Sequence, residues 1–435
     1  MVFDRAEVMS VDERAQIQSR RLRELVDRLL GVEGGVQAER LRAAGVRSGA
    51  DVSLEGLPDL PVVVKADLWD GYPFGMLAVP VEDCVVVHGS SGTSGRPTLV
   101  AYTEQDVDLW AHVVARGLAG AGATRASIIH NAYGYGLFTG GLGIHQGARA
   151  LGATVIPMSG GQTTRQLRLI QDLRPDVLTC TPSYAIYLGE AARAEGIDPA
   201  SLSLKAGVHG AEPWTDAMRD QIEALLGIRA LDIYGLSEIT GPGVACESLD
   251  SEGWLHVQED HFLVEALDTD GRPVPDGELG ELAFTTLTKQ ALPLLRYRTG
   301  DLARLTRAPG PERTTVRMSK IIGRADDMLI VRGVNVYPSE VEAVVLADEG
   351  VGPQYLLVVD ARGAMPRLVV CCEPRSSTVD PGVLAGRLVG ALARRLSVSC
   401  DVHVLPVGGL PRAEVGKVAR VIRWSAGEPP VVGLE

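Results

Sequence analysis

The stretch VVVHGSSGTSGRPTL, residues 85–99, gives the clearest indication of the fold, because it sets a loop rich in serine, threonine and glycine between two β-rich runs. Gly89, Gly92 and Gly95 permit positive φ angles and a close approach of the backbone. Successive N–H groups can then turn inward and bind an anion, and Arg96 adds a positive charge. The pattern predicts a strand, a phosphate-binding loop and a second strand.

A flexible hairpin rich in glycine and serine would have a similar composition. The P-loop of nucleoside triphosphatases fits less well, because that motif places Gly-Lys-Ser/Thr at the start of a helix. Here Gly95 is followed by Arg96, Pro97 and the β-rich run TLVAY. The remainder of the chain therefore has to decide between a hairpin and a phosphate site.

The chain has 435 residues and a net charge of -13, which favours two or three domains. The acidic balance argues against a nucleic-acid or anionic membrane surface. Six cysteines lack any C-x-x-C spacing, and the N-terminus carries acidic residues rather than a signal peptide. We therefore expect a cytoplasmic protein that binds no nucleic acid and no membrane.

Residues 126–148 contain no Asp, Glu, Lys or Arg and could be mistaken for a membrane span. Their six glycines would weaken a spanning helix, since each costs ~1 kcal/mol relative to alanine. We expect a buried, loop-rich wall that lines a pocket.

β-rich runs alternate with helical patterns from Pro61 to Leu226, short β runs follow from Trp254 to Thr306, and a new β/α series begins after residue 327. This organisation predicts an α/β fold with a large N-terminal domain, residues 1–325, made of α/β sheets and a β-rich subdomain. A small α+β C-terminal domain would comprise residues 326–435.

Short motifs recur in a fixed order along the chain. They are the opening loop, YGYGLFTGG at 133–141, HGAEPW at 209–214, YGLSE at 234–238, YRTGD at 297–301, GRADD at 323–327 and GKVAR at 416–420. Three longer strings are KADLWDGYPFG at 65–75, YGLSEITGPGV at 234–244 and RGVNVYP at 332–338. The ordered set resembles the adenylate-forming superfamily of acyl-CoA synthetases, adenylation domains and luciferases, and most of all its phenylacetate-CoA ligase family.

The resemblance implies that a carboxylic acid reacts with ATP to give acyl-AMP and pyrophosphate, and that a thiol then displaces AMP. It implies ATP, Mg²⁺ and coenzyme A, with Glu238 as the Mg²⁺ ligand and Lys417 as the adenylation lysine. Asp326 matches the hinge of a mobile C-terminal domain. The loop Gly333, Val334 and Asn335 would face the active site during the thioester step.

The resemblance also implies two sets of binding residues. The ATP and AMP set is Ser90, Ser91, Gly92, Thr93, Ser94, Gly95, Arg96, Gly210, Ala211, Glu212, Pro213, Asp232, Ile233, Tyr234, Gly235, Ser237, Asp301 and Arg324. The acid-binding set is Tyr135, Phe138, Gly140, Gly141, Ala211, Ile239 and Pro242. Aromatic walls and small floor residues suit a flat aryl acid of the phenylacetate or benzoate type. One methylene group changes the binding free energy in such a pocket by only ~1 to 3 kcal/mol, so the choice between these two acids stays open.

Two positions depart from the family pattern. Arg96 stands where many relatives have lysine, and these two cations differ in geometry. Many relatives also carry a Cys-x-Cys-Gly-Arg element that can contribute to a zinc site, whereas this chain has APGPER at 308–313. Cys246 and His256 alone fall short of a closed structural site, so we expect no zinc.

The acceptor stays open at this point. Coenzyme A is the leading expectation, and the alternatives are the phosphopantetheine of a carrier protein or an amine in a biosynthetic pathway. A nucleotide-binding regulatory protein that has lost catalysis is a further alternative, although Glu238, Asp301 and Lys417 all persist. Relatives are often dimers, so a homodimer is one option for the assembly.

Overall fold

A computed structural model describes residues 2–90, 97–251, 253–308, 310, 312–325, 329–331, 334–363, 367–396, 400–410 and 420–434. Within these residues the helices are α1 (Val11–Leu30), α2 (Val36–Ala43), α3 (Lys65–Asp70), α4 (Glu104–Gly120), α5 (Thr139–Leu151), α6 (Thr163–Leu173), α7 (Pro182–Ala194), α8 (Asp216–Leu226), α9 (Pro338–Leu346) and α10 (Pro381–Leu396).

The strands of the large N-terminal part are β1 (Val86–Gly89), β2 (Leu99–Tyr102), β3 (Ile128–Asn131), β4 (Thr154–Pro157), β5 (Val177–Cys180), β6 (Ala206–Gly210), β7 (Arg229–Leu236), β8 (Gly241–Cys246), β9 (Leu255–Val257), β10 (Phe262–Leu267), β11 (Leu279–Thr286), β12 (Tyr297–Thr306), β13 (Arg317–Met318) and β14 (Gly323–Arg324). The remaining strands are β15 (Leu329–Val331), β16 (Val334–Val336), β17 (Val351–Asp360), β18 (Arg367–Pro374), β19 (Asp401–Val404) and β20 (Val421–Trp424).

One path of hydrogen-bonded strands runs in the order β10-β11-β12-β13-β9-β8-β7-β6-β5-β3-β4, and β14 also pairs with β12. Neighbours from β7 to β4 along this path are parallel, whereas the pairings from β10 to β7 are antiparallel. The β-rich segment after Trp254 therefore extends the same sheet that the β/α units build. This arrangement confirms the predicted α/β class.

The strand, loop and strand around the opening motif form an antiparallel hairpin, in which Gly89 is the register partner of Leu99. Helix α4 follows directly and is capped at its N-terminus by Thr103, whose side chain accepts a hydrogen bond from the Asp106 N–H. The cap satisfies a backbone donor that the first helical turn leaves free.

The uncharged segment 126–148 differs from its prediction. It contains β3 and then, from Thr139, most of helix α5, so the expected loop-rich wall is wrong for its second half. A Cβ atom on Gly143 would lie 2.4 Å from Trp110 Cζ2, and one on Gly147 would lie 2.3 Å from Val114 Cγ1. These glycines therefore let α5 pack closely against α4, and this contact compensates for their low helix propensity.

No described helix has both the length and the apolar character that crossing a membrane requires.

The C-terminal strands form a four-stranded sheet in the order β19-β18-β17-β20. Helices α9 and α10 pack on it through a hydrophobic cluster that includes Val341, Val345, Leu388 and Leu392. Two hydrophobic clusters consist of buried residues from Leu329 onward, and three consist of buried residues up to Met318. This division agrees with a boundary near residue 325, which stays a prediction because Asp326 lies outside the described residues.

Candidate active site

Three of the sequence motifs follow the parallel strands β3, β6 and β7 at their carboxyl ends. Since the carboxyl ends of parallel strands meet at one edge of a sheet, the loops after Asn131, Gly210 and Leu236 lie together there. The fold thus brings the predicted acid, adenine and metal residues to a common edge.

The described flanks of the phosphate loop are tied to each other and to α3. The Ser90 N–H donates to the Thr98 carbonyl at 3.0 Å, and Trp69 Nε1 donates to Thr98 Oγ1 at 2.9 Å. The hydroxyl of Ser90 is buried without a hydrogen-bond partner among the described residues. Such a hydroxyl is available to an anion in the loop.

Glu238 lies in the tight turn 237–240 between β7 and β8. Its side chain is only 5% exposed, and the Lys65 ammonium lies 3.9 Å from its Oε1 atom. Mg²⁺ in phosphate-binding sites is held by one or two carboxylates together with phosphate oxygens. A buried carboxylate with a neighbouring cation at this edge of the sheet fits that use.

Two further side chains hold the backbone of this turn. Tyr102 donates its hydroxyl to the Ser237 carbonyl at 2.9 Å, and Lys289 Nζ donates to the Glu238 carbonyl at 3.0 Å. Lys289 is 1% exposed, and burial lowers its pKa to about 8 against the opposing charges of Asp106 and Glu238. The Ser237 hydroxyl lies 3.3 Å from Thr139 Oγ1.

The predicted ribose residues form a connected group. Asp301 accepts hydrogen bonds from the Tyr234 hydroxyl at 2.8 Å and from Arg324 Nη1 at 2.8 Å. The Tyr234 ring stacks on Phe284 with centroids 5.9 Å apart. Asp301 and Arg324 face each other across β12 and β14, so strand pairing presents a carboxylate and a guanidinium side by side.

The adenine segment begins where β6 ends. A Cβ atom on Gly210 would lie 2.1 Å from the Ile233 carbonyl oxygen, so glycine is required for this approach of β6 to β7. Ala211 is exposed and has a positive φ of 72°, a conformation that L residues rarely adopt. Strained backbone of this kind gathers at functional sites.

Carboxylates flank this segment on both sides. Glu212 Oε1 accepts a hydrogen bond from the Ser183 N–H at 2.7 Å, which joins the segment to α7. Asp232 is buried, and burial together with the nearby Glu247 charge raises its pKa to about 7.

Gly235 packs directly on Gly241, whose carbonyl oxygen would lie 1.8 Å from a Cβ at Gly235. Pro213 is exposed beside Glu212.

Tyr135, the aromatic residue of the predicted acid pocket, is half-buried and fixed at its hydroxyl. Asn131 Nδ2 donates to this hydroxyl at 2.8 Å, and His145 Nδ1 lies 3.2 Å from it. Asn131 Nδ2 also donates to the Gly141 carbonyl at 2.8 Å. The buried Asn131 therefore holds both ends of the loop that the sequence assigns to acid binding.

The remaining acid-pocket residues differ in exposure. Phe138 is 52% exposed, whereas Ile239 is fully buried in the main hydrophobic cluster. Pro242 is half-buried, and its carbonyl accepts a hydrogen bond from Trp110 Nε1 at 3.0 Å. A Cβ on Gly140 would lie 3.4 Å from Tyr133, an ordinary contact.

The segment that replaces the family's cysteine-rich element contributes a buried arginine. Arg313 Nε donates to Glu7 Oε2 at 2.7 Å, and its Nη1 lies 3.1 Å from Asp250 Oδ1. Cys246 and His256 are register partners on β8 and β9. Among the residues that the structure describes, no group of three or more His, Cys, Asp or Glu side chains is placed to hold a metal. The expectation of no zinc stays a prediction.

Several predicted residues lie outside the described residues. They are Ser91, Gly92, Thr93, Ser94, Gly95, Arg96, Asp326, Gly333 and Lys417. The backbones of Val334 and Asn335 form part of β16.

Sequence reasoning assigned no role to Lys65, Lys289, Tyr102, Asn131 or His145. Lys65 does belong to the quoted string KADLWDGYPFG, which is the one sequence signal that could have pointed to it. The other contacts join residues distant along the chain, for example Tyr102 and Ser237. They become visible only in the folded chain.

Comparisons with known proteins agree with this geometry. The family model of the AMP-binding enzyme matches residues 26–287, and that of the AMP-binding enzyme C-terminal domain matches residues 333–423. The phenylacetate-coenzyme A ligase of Thermus thermophilus is 51% identical over 88% of this chain and 90% of its own length. The enzyme of the same name from Escherichia coli is 48% identical over 96% of this chain and 97% of its own length.

Among solved structures, 2-hydroxyisobutyryl-CoA ligase in the postadenylation state with 2-HIB-AMP has a TM-score of 0.89 and 28% identity, covering 96% of this chain and 91% of that chain. The same ligase in the thioesterification state with CoA gives a TM-score of 0.71, with 97% and 92% coverage. This chain thus superposes better on the postadenylation state.

Proposed function

This chain belongs to the AMP-binding enzyme family, among the phenylacetate-coenzyme A ligases, and from that membership we propose that it joins an aromatic carboxylic acid to coenzyme A at the expense of ATP. The carboxylate attacks the α-phosphate, forming the acyl–phosphate bond and releasing pyrophosphate. The CoA thiol then attacks the acyl carbon, and AMP leaves. The observation that carries the proposal is the roughly 50% identity with named phenylacetate-CoA ligases across most of both chains.

Glu238 is the residue that we expect to hold Mg²⁺. Its buried carboxylate has the ligand chemistry that this ion prefers. When bound, Mg²⁺ neutralises charge on the phosphates and polarises the phosphorus that is attacked. Lys65 places a second positive charge near the same carboxylate, and its neighbour Trp69 contacts the end of the phosphate loop through Thr98.

The nucleoside is assigned to the group around Asp301. A carboxylate can accept hydrogen bonds from both ribose hydroxyls, and the Arg324 guanidinium beside it can donate to the sugar or to a phosphate. The adenine is assigned to the segment from Gly210 to Pro213 and to the facing end of β7, where Tyr234 lies.

The acid is assigned to the loop 133–141 at the end of β3. The two hydrogen-bonding partners of the Tyr135 hydroxyl, Asn131 and His145, fix the ring as a wall. A planar aryl group can pack against such a fixed ring. Gly140 is assigned to the floor of this pocket, and Gly141 lets the first turn of α5 approach the loop backbone, because a Cβ there would lie 2.4 Å from the Gly134 carbonyl oxygen.

Lys417 is assigned to the first half-reaction, in which its ammonium bonds the substrate carboxylate and the charge developing on the α-phosphate. The loop at 333–335 is assigned to the second half-reaction, after rotation about Asp326. The better superposition on a postadenylation complex than on a thioesterification complex supports an arrangement of the two domains suited to the first step.

The test is a pyrophosphate-release screen of aryl acids followed by a comparison of acceptors. Phenylacetate and benzoate derivatives are expected to stimulate release, and free CoA is expected to yield an acyl-CoA. Release without a CoA thioester, together with transfer to a carrier protein, would instead favour the carrier-loading alternative. ATP binding without acid-dependent release would contradict an enzymatic role.

A further inference from the structure

We propose that Lys289 and Tyr102 act as positioning residues that hold the turn presenting Glu238 to the metal. This inference rests on the proposed function, because it concerns the same Mg²⁺–ATP site. It adds two residues from other parts of the chain, one in the loop between β11 and β12 and one at the end of β2.

The turn 237–240 needs such support because its own hydrogen bonds leave two carbonyl groups unused. The N–H groups of Ile239 and Thr240 both donate to the Leu236 carbonyl, at 3.1 Å each. The carbonyls of Ser237 and Glu238 are met instead by side chains, the Tyr102 hydroxyl and the Lys289 ammonium. The carbonyl groups of Ser237 and Glu238 are thus each held by a side chain from a distant part of the chain.

The two holding side chains also fix each other. The Lys289 ammonium lies over the Tyr102 ring at 4.6 Å from its centroid, and the ring stacks on Trp110 with centroids 5.4 Å apart. Tyr102 and Trp110 are both buried. A cation over an aromatic face is attracted to it, most strongly when both are desolvated.

The Lys289 loop is itself anchored. Asp106 in the first turn of α4 accepts hydrogen bonds from the N–H groups of Gln290 at 2.6 Å and Ala291 at 2.9 Å. Its Oδ2 atom also accepts the Thr103 N–H at 3.0 Å. The loop that carries Lys289 is therefore tied to the N-terminal cap of α4 through Asp106, which is itself buried.

A lysine is an unusual choice for a fully buried position, since removing an ammonium from water is costly unless it is well paired. An apolar side chain would fill the space without that cost. The one hydrogen bond described for this ammonium ends on the peptide carbonyl of Glu238. Holding the Glu238 backbone therefore best explains why a lysine occupies this buried position.

A positioning role predicts a specific defect in Lys289→Met. The variant keeps the length of the side chain and loses its charge and donors. ATP affinity measured by calorimetry in EDTA should stay within about twofold of the wild type. The gain in affinity on adding saturating Mg²⁺ should fall at least tenfold, and the Mg²⁺ concentration for half-maximal pyrophosphate release should rise at least tenfold.

Gln290→Ala is the matched control. It lies in the same loop, and its side chain donates to the Thr288 carbonyl at 2.7 Å without contacting the Glu238 turn. This variant should show the wild-type Mg²⁺ response. Tyr102→Phe removes only one hydroxyl and decides the question if Lys289→Met does not fold, with an expected loss of at least threefold in the Mg²⁺ response.

Several outcomes would overturn the inference. An unchanged Mg²⁺ response in folded Lys289→Met, or an equal loss of affinity in EDTA and in Mg²⁺, would show a merely structural lysine. If Lys289→Met does not fold, an unchanged Mg²⁺ response in Tyr102→Phe would overturn the inference instead. The proposed function fails separately, if the wild-type protein shows no acid-dependent pyrophosphate release.

Discussion

Asp301→Asn separates the proposed nucleotide-binding role of this carboxylate from its structural one. In the free protein Asp301 pairs with Arg324, whose side chain is 32% exposed. The Asp301 side chain itself is 13% exposed, but asparagine keeps an oxygen that can still accept a hydrogen bond from Arg324 or Tyr234, so the substitution weakens this group without leaving it unpaired. We therefore expect the free energy of unfolding to fall by no more than about 1 kcal/mol.

The effect on ATP should be larger. Asparagine keeps one acceptor oxygen and loses the charge, so one of two charge-assisted hydrogen bonds to the ribose is lost. Such a bond contributes ~1.5–3 kcal/mol, which corresponds to an ATP affinity about 10- to 150-fold weaker. The assay is calorimetric titration with ATP, alongside denaturant unfolding of the same preparation.

Tyr234→Phe is the control for Asp301→Asn. It removes the hydroxyl that donates to Asp301 and leaves the ring that stacks on Phe284. We expect less than a tenfold loss of ATP affinity, because the carboxylate charge stays. Wild-type ATP affinity in a folded Asp301→Asn variant, or an equal loss in both variants, would refute the ribose assignment.

Three further predictions concern the thioester cycle, the acid pocket and the pH dependence of stability. Lys417→Ala should abolish acyl-AMP formation and spare thioester formation from supplied acyl-AMP, so equal loss of both half-reactions would contradict the division between the steps. Gly141→Ala should raise KM for the acid in steady-state assays, because its Cβ would lie 2.4 Å from the Gly134 carbonyl oxygen and displace the loop, and an unchanged KM would contradict the assignment of this loop to acid binding. Burial, together with the Arg313 charge, lowers the pKa of His256 to about 4. Between pH 6.5 and about 4 the unfolded chain therefore binds a proton at this position that the folded chain does not, and this group alone should lower stability by about 2 kcal/mol between pH 7.5 and 5. In denaturant unfolding, His256→Gln should therefore make the free energy of unfolding less dependent on pH. An unchanged pH dependence would contradict the role given to His256.

Local signals in the sequence account for much of the fold. The hairpin around Gly89 and Leu99 follows from two β-rich runs about one loop, and α4 lies within the β/α alternation that the sequence predicts between Pro61 and Leu226. The order of the motifs was enough to identify the family. These features depend on residues that are close together in the sequence, so the sequence pattern is enough to predict them.

Features that depend on contacts between distant residues were harder to predict. Helix α5 has too many glycines for its own propensity, and it forms because Gly143 and Gly147 admit Trp110 and Val114 of α4. Nothing in the local sequence indicates that Lys289 is buried, yet the fold buries it and its ammonium donates to the Glu238 carbonyl. The local pattern carries no information about a partner 51 residues away.

The most direct test of the account is the product balance of the wild-type enzyme with ATP, Mg²⁺, phenylacetate and CoA. Chromatography and mass spectrometry should show AMP, pyrophosphate and an aryl-CoA thioester in equal amounts, with none formed when the acid is omitted. Release of ADP and phosphate, or pyrophosphate without any CoA thioester, would contradict the assignment as an AMP-forming aryl-acid:CoA ligase.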